Sequence, residues 1–323
     1  MANLITHRPI KGGLLLSLLV SATSGLFSPI LASAEFQRHY DLGKDFLERQ
    51  EYKLAIQELS LAAAKQATPK ELAAALVDRG TAYSELANYK AAIADLDRAI
   101  TLDGTAHLAY NNCGVVYFRQ GLADQAINNF DKAVALDGED KFAVVNRAGA
   151  YLMTDKAASL APKTEAWLKK RWHSDFAAQA AVLTVLAYLA GGDKAHAQSL
   201  TTEALKSLDK LHWPYPMLSY LAGQCPAEKV VEESQDSSYD LTQAHCYLGV
   251  DAYIKGKSHL DVAKNKLDFV INHGTTNSVE YWVAKFIMAK MQPKVPPPVV
   301  KGSGSKGAGN KDEDHTVKAK TSH

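Results

Sequence analysis

The feature that most constrains this chain is a 30-residue phrase that occurs twice, the second copy 34 residues after the first. The copies read ALVDRGTAYSELANYKAAIADLDRAITLDG (75–104) and AYNNCGVVYFRQGLADQAINNFDKAVALDG (109–138). Both place small and large apolar residues at the same points: Gly80 and Gly114, Tyr83 and Tyr117, Ala92 and Ala126, Leu96 and Phe130, Ala99 and Ala133. Small residues let two antiparallel helices approach closely, and large residues fill the space beside them. The phrase therefore predicts a helical hairpin that is made at least twice.

The spacing of these residues is that of the tetratricopeptide repeat, a helix-turn-helix unit. The same frame extends backward to Gly43 and Ala55 and forward to Val144 and Tyr151, and weaker echoes follow at 182–205 and 246–271. Each hairpin exposes an apolar face that only a neighbouring hairpin can cover, so the units must stack. We therefore expect an all-α fold, a right-handed superhelix of stacked repeats with one concave side, whose C-terminal repeats are degenerate.

The two ends of the chain differ from this pattern. Arg8 and Lys11 precede a leucine-rich run, and the small residues at 32–34 (ASA) suit a signal peptidase, so residues 1–34 are predicted to be a signal peptide cleaved before Glu35. The protein would then be periplasmic or secreted; the alternative is an uncleaved membrane anchor. We expect a regular array over 35–153, degenerate helical repeats over 154–291, and a disordered Pro/Gly/Ser/Lys-rich tail over 292–323.

The composition argues against some classes of partner. The chain has 36 basic and 35 acidic residues, so no strong positive field favours nucleic acid or an anionic membrane surface. After signal cleavage no stable membrane insertion is expected. Cys113 falls at an apolar helix position and is interpreted as a small buried residue. Cys225 and Cys246 form a disulfide if the fold brings them together in an oxidising compartment, and are otherwise two separate buried thiols.

The sequence offers no local motif for catalysis. It contains no GxSxG, Walker loop, HExxH or CxxC, and its 11 histidines lack the spacing of metal ligands. We therefore predict a protein that is not an enzyme and that uses no metal and no cofactor.

One stripe of the predicted concave face is polar. On the first helix of each repeat, positions 2, 6, 9 and 13 fall on one side. Position 6 is Asp41, Asp78, Asn112 and Asn146 in four successive units. An asparagine can both donate to and accept from a peptide backbone, so such a ladder can hold an extended segment. Solvated polar groups, or bonds between neighbouring helices, are the alternative. The predicted partner-binding groove comprises Asp41, Lys44, Asp78, Leu108, Asn111, Asn112, Val115, Arg119 and Asn146.

The arrangement over residues 36–291 also resembles the NlpI-type family of bacterial envelope tetratricopeptide proteins. The resemblance rests on the tandem NNCGVVYFRQGLADQAINNFDKAV, on VVNRAGAYL after it, and on the closing CYLGVDAYIKG and VEYWVAKFIMAK. It implies a non-enzymatic adaptor, often a homodimer, that brings envelope proteases and peptidoglycan hydrolases together. The family's lipid anchor does not carry over, because no cysteine precedes Cys113.

Two functions follow from this reading. The first is an exported adaptor whose groove binds extended segments of envelope proteases or cell-wall enzymes. The second is a structural or assembly factor, for a secretion or pilus-type complex, that uses its convex face or its helix ends.

Overall fold

The computed structural model describes residues 33–65, 67–210 and 213–292, and within these ranges the chain is helical and contains no strand. The predicted signal peptide before residue 33 and the predicted tail after residue 292 lie outside the described residues. The first seven helices form the regular array: α1 (33–48), α2 (Tyr52–Ala63), α3 (Pro69–Glu85), α4 (Tyr89–Leu102), α5 (His107–Arg119), α6 (Ala123–Leu136) and α7 (Lys141–Tyr151).

The second half contains shorter and less regular helices. These are α8 (Ala157–Leu160), α9 (Pro162–Leu168), α10 (Ala177–Ala190), α11 (Lys194–Ser207), α12 (Tyr215–Leu221), α13 (Ala227–Glu232), α14 (Ser238–Lys255), α15 (Leu260–His273) and α16 (Val279–Met291). The predicted all-α fold of stacked helical hairpins is confirmed. None of the described helices is long and apolar enough to cross a membrane.

Local signals explain where several helices of the array begin. Thr68 accepts a hydrogen bond from the backbone N–H of Glu71, and the Glu71 carboxylate accepts one from the N–H of Thr68, which together satisfy two donors at the start of α3. Asn88 caps α4 and Asp140 caps α7 in the simpler way, by accepting a bond from a backbone N–H three residues later.

The paired helices cross at the repeat glycines, as the sequence predicts. A methyl group added at Gly114 would lie 2.5 Å from Cε1 of Phe130, and one added at Gly80 would lie 3.0 Å from Cγ of Leu96. Since close-packed interiors leave no room for such overlap, only glycine allows the two helices to approach this closely. The large residue of the second helix fills the space that the glycine leaves.

The C-terminal helix returns to the regular array. Helix α16 packs against α14 and α15 and also against α7 of the fourth repeat. At that contact a methyl group added at Gly149 would lie 2.2 Å from Cγ2 of Val279. The array is therefore closed by a helix that follows it by more than a hundred residues in the chain.

A buried carboxylate joins α10, α14 and α16. Glu280 is completely buried, and its Oε1 accepts hydrogen bonds from Tyr247 Oη (2.7 Å), Gln179 Nε2 (2.8 Å) and Gln243 Nε2 (3.0 Å). Trp213 Nε1 in turn donates to Oε1 of Gln243 at 2.6 Å. We call Glu280, Gln179, Gln243 and Tyr247 the buried polar centre. No feature of the sequence predicts it.

The three cysteines are free. Cys113 is buried in the array, as expected. Cys246 is also buried, with Sγ 3.5 Å from the backbone oxygen of Glu280, whereas Sγ of Cys225 lies 3.7 Å from the backbone oxygen of Pro216. The structure has separate thiols at Cys225 and Cys246, of which Cys246 is buried and Cys225 is partly exposed.

Candidate functional site

The candidate site is the concave face formed by the first helix of each repeat, which are α1, α3, α5 and α7. Adjacent first helices are in contact, α3 with α5 and α5 with α7. Equivalent residues of successive repeats therefore lie side by side, about 8–10 Å apart from one helix axis to the next.

The asparagines of the predicted ladder are bonded to one another across the repeats. Asn112 Nδ2 donates to Thr81 Oγ1 in the preceding repeat at 2.9 Å. Asn111 Nδ2 donates to Asn112 Oδ1 at 3.2 Å, and Asn146 Nδ2 donates to Asn111 Oδ1 at 3.3 Å. Three first helices are thus linked by one chain of hydrogen bonds, formed by three side-chain amides and the Thr81 hydroxyl. Asn112 and Asn146 remain partly exposed, whereas Asn111 is buried.

The bonds between neighbouring helices that the sequence left as an alternative are therefore present. They use one N–H of Asn112 and one of Asn146, and each amide group carries two N–H donors and an acceptor oxygen with two lone pairs. The ladder thus has a structural role in joining repeats. Asn112 and Asn146 also keep N–H donors and lone pairs that face the groove.

The acidic part of the stripe is built around Tyr40. The Tyr40 hydroxyl donates to the half-buried Asp78, and Lys44 lies 5.7 Å from the centre of the Tyr40 ring. Burial raises the pKa of the Asp78 carboxyl, while the Tyr40 hydrogen bond and the charge of Lys44 act in the opposite direction. Burial beside Asp78 also raises the pKa of Tyr40 well above its usual range. Asp41, the next residue in the chain after Tyr40, is exposed, and its carboxylate accepts a hydrogen bond from Gln37 Nε2 at 2.8 Å.

Exposed apolar side chains border this polar stripe. Leu108 is 51% exposed, and Phe142, at the same repeat position one unit later, is 57% exposed. Phe142 makes an edge-to-face contact with Phe176, with ring centres 5.3 Å apart. Beside Leu108 a cavity of about 300 Å³ opens between α3 and α5, lined by Tyr40, Lys70, Ala74, Val77, Asp78 and His107 among others.

The opposite end of the concave face is closed. Arg119 donates to Glu85 at 2.7 Å and to Ser84 at 3.2 Å, and its guanidinium lies 5.8 Å from the centre of the Trp282 ring. Lys290 of α16 pairs with Asp155 at 3.5 Å. Helix α16 therefore covers the C-terminal ends of the first helices in the third and fourth repeats.

The predicted groove residues consequently separate into three groups. Asp41, Lys44 and Asp78 cluster around Tyr40, and Leu108 borders the cavity beside them. Asn111, Asn112 and Asn146 form the amide chain. Arg119 is held by Glu85 and the C-terminal segment, and Val115 packs partly against the core.

Sequence reasoning missed two features of this face. Phe142 stands 34 residues after Leu108 at the same repeat position, so the repeat frame itself could have identified it. No local sequence pattern indicates that α16 covers part of this face, because that contact joins segments far apart in the chain.

The chemistry of this face is that of recognition. It offers carboxylates, amides and apolar side chains along one direction, which suits an extended polypeptide. Among the described residues, no group of histidine, cysteine or acidic side chains is arranged to hold a metal ion.

Comparisons with known proteins agree with the repeat frame. The family models described as "TPR repeat" and "Tetratricopeptide repeat" match residues 80–121 and 108–140 respectively. The chain therefore contains tetratricopeptide repeats. No curated protein matches it.

Some solved structures are similar to this chain at low sequence identity. A tetratricopeptide repeat protein from Parabacteroides merdae is 13% identical, with a TM-score of 0.48 over 79% of this chain and 99% of the other. The pilF protein of Pseudomonas aeruginosa is 15% identical, with a TM-score of 0.45 over 80% and 99%. The MamA protein is 22% identical, with a TM-score of 0.42 over 55% and 94%.

Proposed function

We propose that this protein is an exported, non-enzymatic scaffold that holds extended segments of other envelope proteins on its concave face. Envelope proteases and cell-wall enzymes are the proposed partners, and a homodimer is the proposed assembly. Arrays of this kind bind other proteins through the extended surfaces that their stacking creates. The observation that carries the proposal is the open part of the concave face, where carboxylates, amides and apolar side chains of adjacent repeats are aligned.

The location is the part of the proposal that rests on the N-terminal sequence. The basic residues, the leucine-rich run and the small residues at 32–34 favour cleavage before Glu35. Such cleavage would remove only two residues from the exposed start of α1. N-terminal sequencing of exported protein should find Glu35 as the first residue, and finding residue 1 or 2 would contradict the proposed export.

The binding proposal is tested by capture followed by titration. The mature protein is used to capture partners from envelope extract, and each identified partner is titrated against wild type, Asn112→Ala/Asn146→Ala and Asp41→Ala/Asp78→Ala. Loss of two to four hydrogen bonds of about 1 kcal/mol each predicts an affinity loss of roughly thirtyfold to several hundredfold for the asparagine pair.

Ionic strength separates the two kinds of contact. The loss caused by Asp41→Ala/Asp78→Ala should be larger at low salt than at high salt, because salt screens exposed charges. The loss caused by the asparagine substitutions should be nearly independent of salt. Asn128→Ala, at an exposed asparagine of α6, is the matched control and should bind as wild type does.

The alternative function predicts a different result. A structural or assembly factor that binds through its convex face or its helix ends would keep its affinity in both groove variants. Equal affinity in folded wild type and variants would therefore reject the groove and favour that alternative.

A further inference from the structure

The two most exposed large apolar side chains of the described residues share one repeat position. They are Leu108 (51%) and Phe142 (57%), and they begin the first helices of the third and fourth repeats. Their helices, α5 and α7, are in contact, so the two side chains project from neighbouring axes about 8–10 Å apart. Burying apolar surface of this size is favourable, and its exposure on adjacent units marks a binding surface.

The space around Leu108 is shaped to receive one side chain. The cavity of about 300 Å³ between α3 and α5 has an apolar floor that includes Ala74 and Val77, and Leu108 forms part of its wall. The contact of Phe142 with Phe176 adds apolar surface one repeat further along. The surface thus offers two apolar contact points, one repeat apart.

Charge at the edge of this surface selects the partner further. Positions 6, 9 and 13 of the first two repeats contain four carboxylates, Asp41, Glu48, Asp78 and Glu85, against one lysine, Lys44. The cavity lining adds Asp103 and Lys70, and Lys141 Nζ lies 5.8 Å from the centre of the Phe142 ring. Glu85 is already paired with Arg119. Asp78 lies in the cavity lining, partly buried, where a cationic partner would stabilise its charged form.

The spacing of the apolar points selects the conformation. A polyproline II segment has three residues per turn and rises about 3.1 Å per residue, so residues i and i+3 lie on the same side about 9 Å apart. This distance matches the separation of adjacent first helices. In a β-strand, residues on one face are two or four apart, at about 7 Å or 13 Å, and neither spacing matches this separation as well.

We propose that the open concave face binds an extended segment of another protein that has two apolar side chains three residues apart and a lysine or arginine close to them. One apolar side chain packs on Leu108 at the edge of the cavity and the other packs on Phe142, while the basic group meets Asp78 and Asp41. This inference rests on the proposed function, since it specifies which segment a groove-binding scaffold holds.

The test is selection from a displayed library of random twelve-residue peptides on the mature wild-type protein. The enriched peptides should share two apolar residues three apart with a lysine or arginine within or beside the pair. Failure to enrich any peptide, enrichment without this spacing, or an acidic consensus would overturn the inference.

Variants locate the binding surface. Leu108→Ser and Phe142→Ser should each weaken binding of an enriched peptide about tenfold, as expected for losing the burial of roughly half a large apolar side chain. Leu136→Ser is the matched control, because Leu136 is 44% exposed but lies on α6, a second helix of its repeat. Its affinity should equal that of wild type, and circular dichroism should show all three variants folded.

The same variants separate this inference from the proposed function. Peptide binding could be weakened by Asn112→Ala/Asn146→Ala or Asp41→Ala/Asp78→Ala and unchanged by Leu108→Ser and Phe142→Ser. That result would overturn the inference but would keep the groove as the binding site. Peptides insensitive to all four variants would count against both.

Discussion

The third and fourth repeats have the same helical frame but differ in what covers their concave face. Position 9 is Val115 in the third repeat, where it is partly exposed, and Gly149 in the fourth, where it is buried against Val279. Position 13 is Arg119 in the third repeat, where it bonds to Glu85 of the preceding repeat. In the fourth repeat it is Met153, which is buried. The difference shows that a repeat frame fixes the hairpin, whereas a distant segment decides which part of the groove stays open.

The two halves of the chain are also held together differently. In the regular array each hairpin depends on close contact between a glycine and a large apolar residue, and the amide chain links one unit to the next. In the degenerate half, helices from three separate parts of the chain meet at the buried polar centre. Four substitutions test this contrast, from the largest expected effect to the smallest.

Glu280→Ala should cause the greatest loss of stability. It leaves the Tyr247 hydroxyl without an acceptor, at a cost of about 1–3 kcal/mol, and leaves Gln179 and Gln243 with Tyr239 alone, so the free energy of unfolding should fall by at least about 2 kcal/mol. Urea denaturation measures this, with Glu232→Ala at an exposed site as the control. Glu280→Gln keeps one acceptor oxygen and should be milder. If Glu280→Ala and the control were equally stable, the buried polar centre would not be what joins α16 to the rest.

Gly149→Ala should destabilise the contact between α7 and α16. Alanine is normally the better helix former, but here its methyl group would overlap Val279, and overpacking costs about 1–3 kcal/mol. Adding Val279→Ala should recover part of the loss, since it removes the overlapping atoms. Gly104→Ala is the control, because its new methyl group would meet only the Ile100 backbone oxygen at 3.9 Å. If Gly149→Ala were more stable than wild type, α16 would not pack closely against this residue.

Asn112→Ala should have a smaller effect on stability, in the open part of the array. It removes the bond to Thr81 and the acceptor for Asn111, each worth about 0.5–1.5 kcal/mol, while alanine partly compensates through its helix propensity. Helix content by circular dichroism should hardly change, and the thermal midpoint should fall slightly. A loss as large as that of Glu280→Ala would remove the contrast between the two halves.

His245 should make the degenerate half weakly sensitive to acid. Burial, together with the charges of Lys266 and His273, lowers the pKa of this imidazole from 6.5 to about 4, and its ring stacks on Phe269 with centres 3.9 Å apart. Between these pH values the unfolded chain binds the proton more readily than the folded protein does, so stability should fall as the pH drops from about 6.5 to about 4.

The comparison for this prediction is His245→Phe, which keeps a ring on Phe269 and cannot titrate. Thermal midpoints of wild type and variant measured over that pH range should diverge as the pH falls. Parallel curves would show that protonation of His245 does not affect folding.

The sequence by itself determined the hairpin, its repetition and the residues at its crossing. Those features depend on contacts between residues close in the chain, such as Gly114 with Phe130, and they recur in the first three units, so a single frame predicts them all. The same frame correctly placed Asn112 and Asn146 on adjacent first helices, and it contained Phe142 at the position of Leu108 although that residue was overlooked. What the asparagines bind to was left open by the sequence.

Only the tertiary structure decided which residues of the groove are accessible and how the degenerate half closes. The bond from Asn146 to Asn111 needs the relative rotation of two helices, and the cover over Gly149 needs Val279, 130 residues later in the chain. Glu280 looks like an ordinary helix-surface residue in the sequence, yet it is buried because α10, α14 and α16 converge on it. Contacts of this kind occur once and join distant segments, so no local period records them.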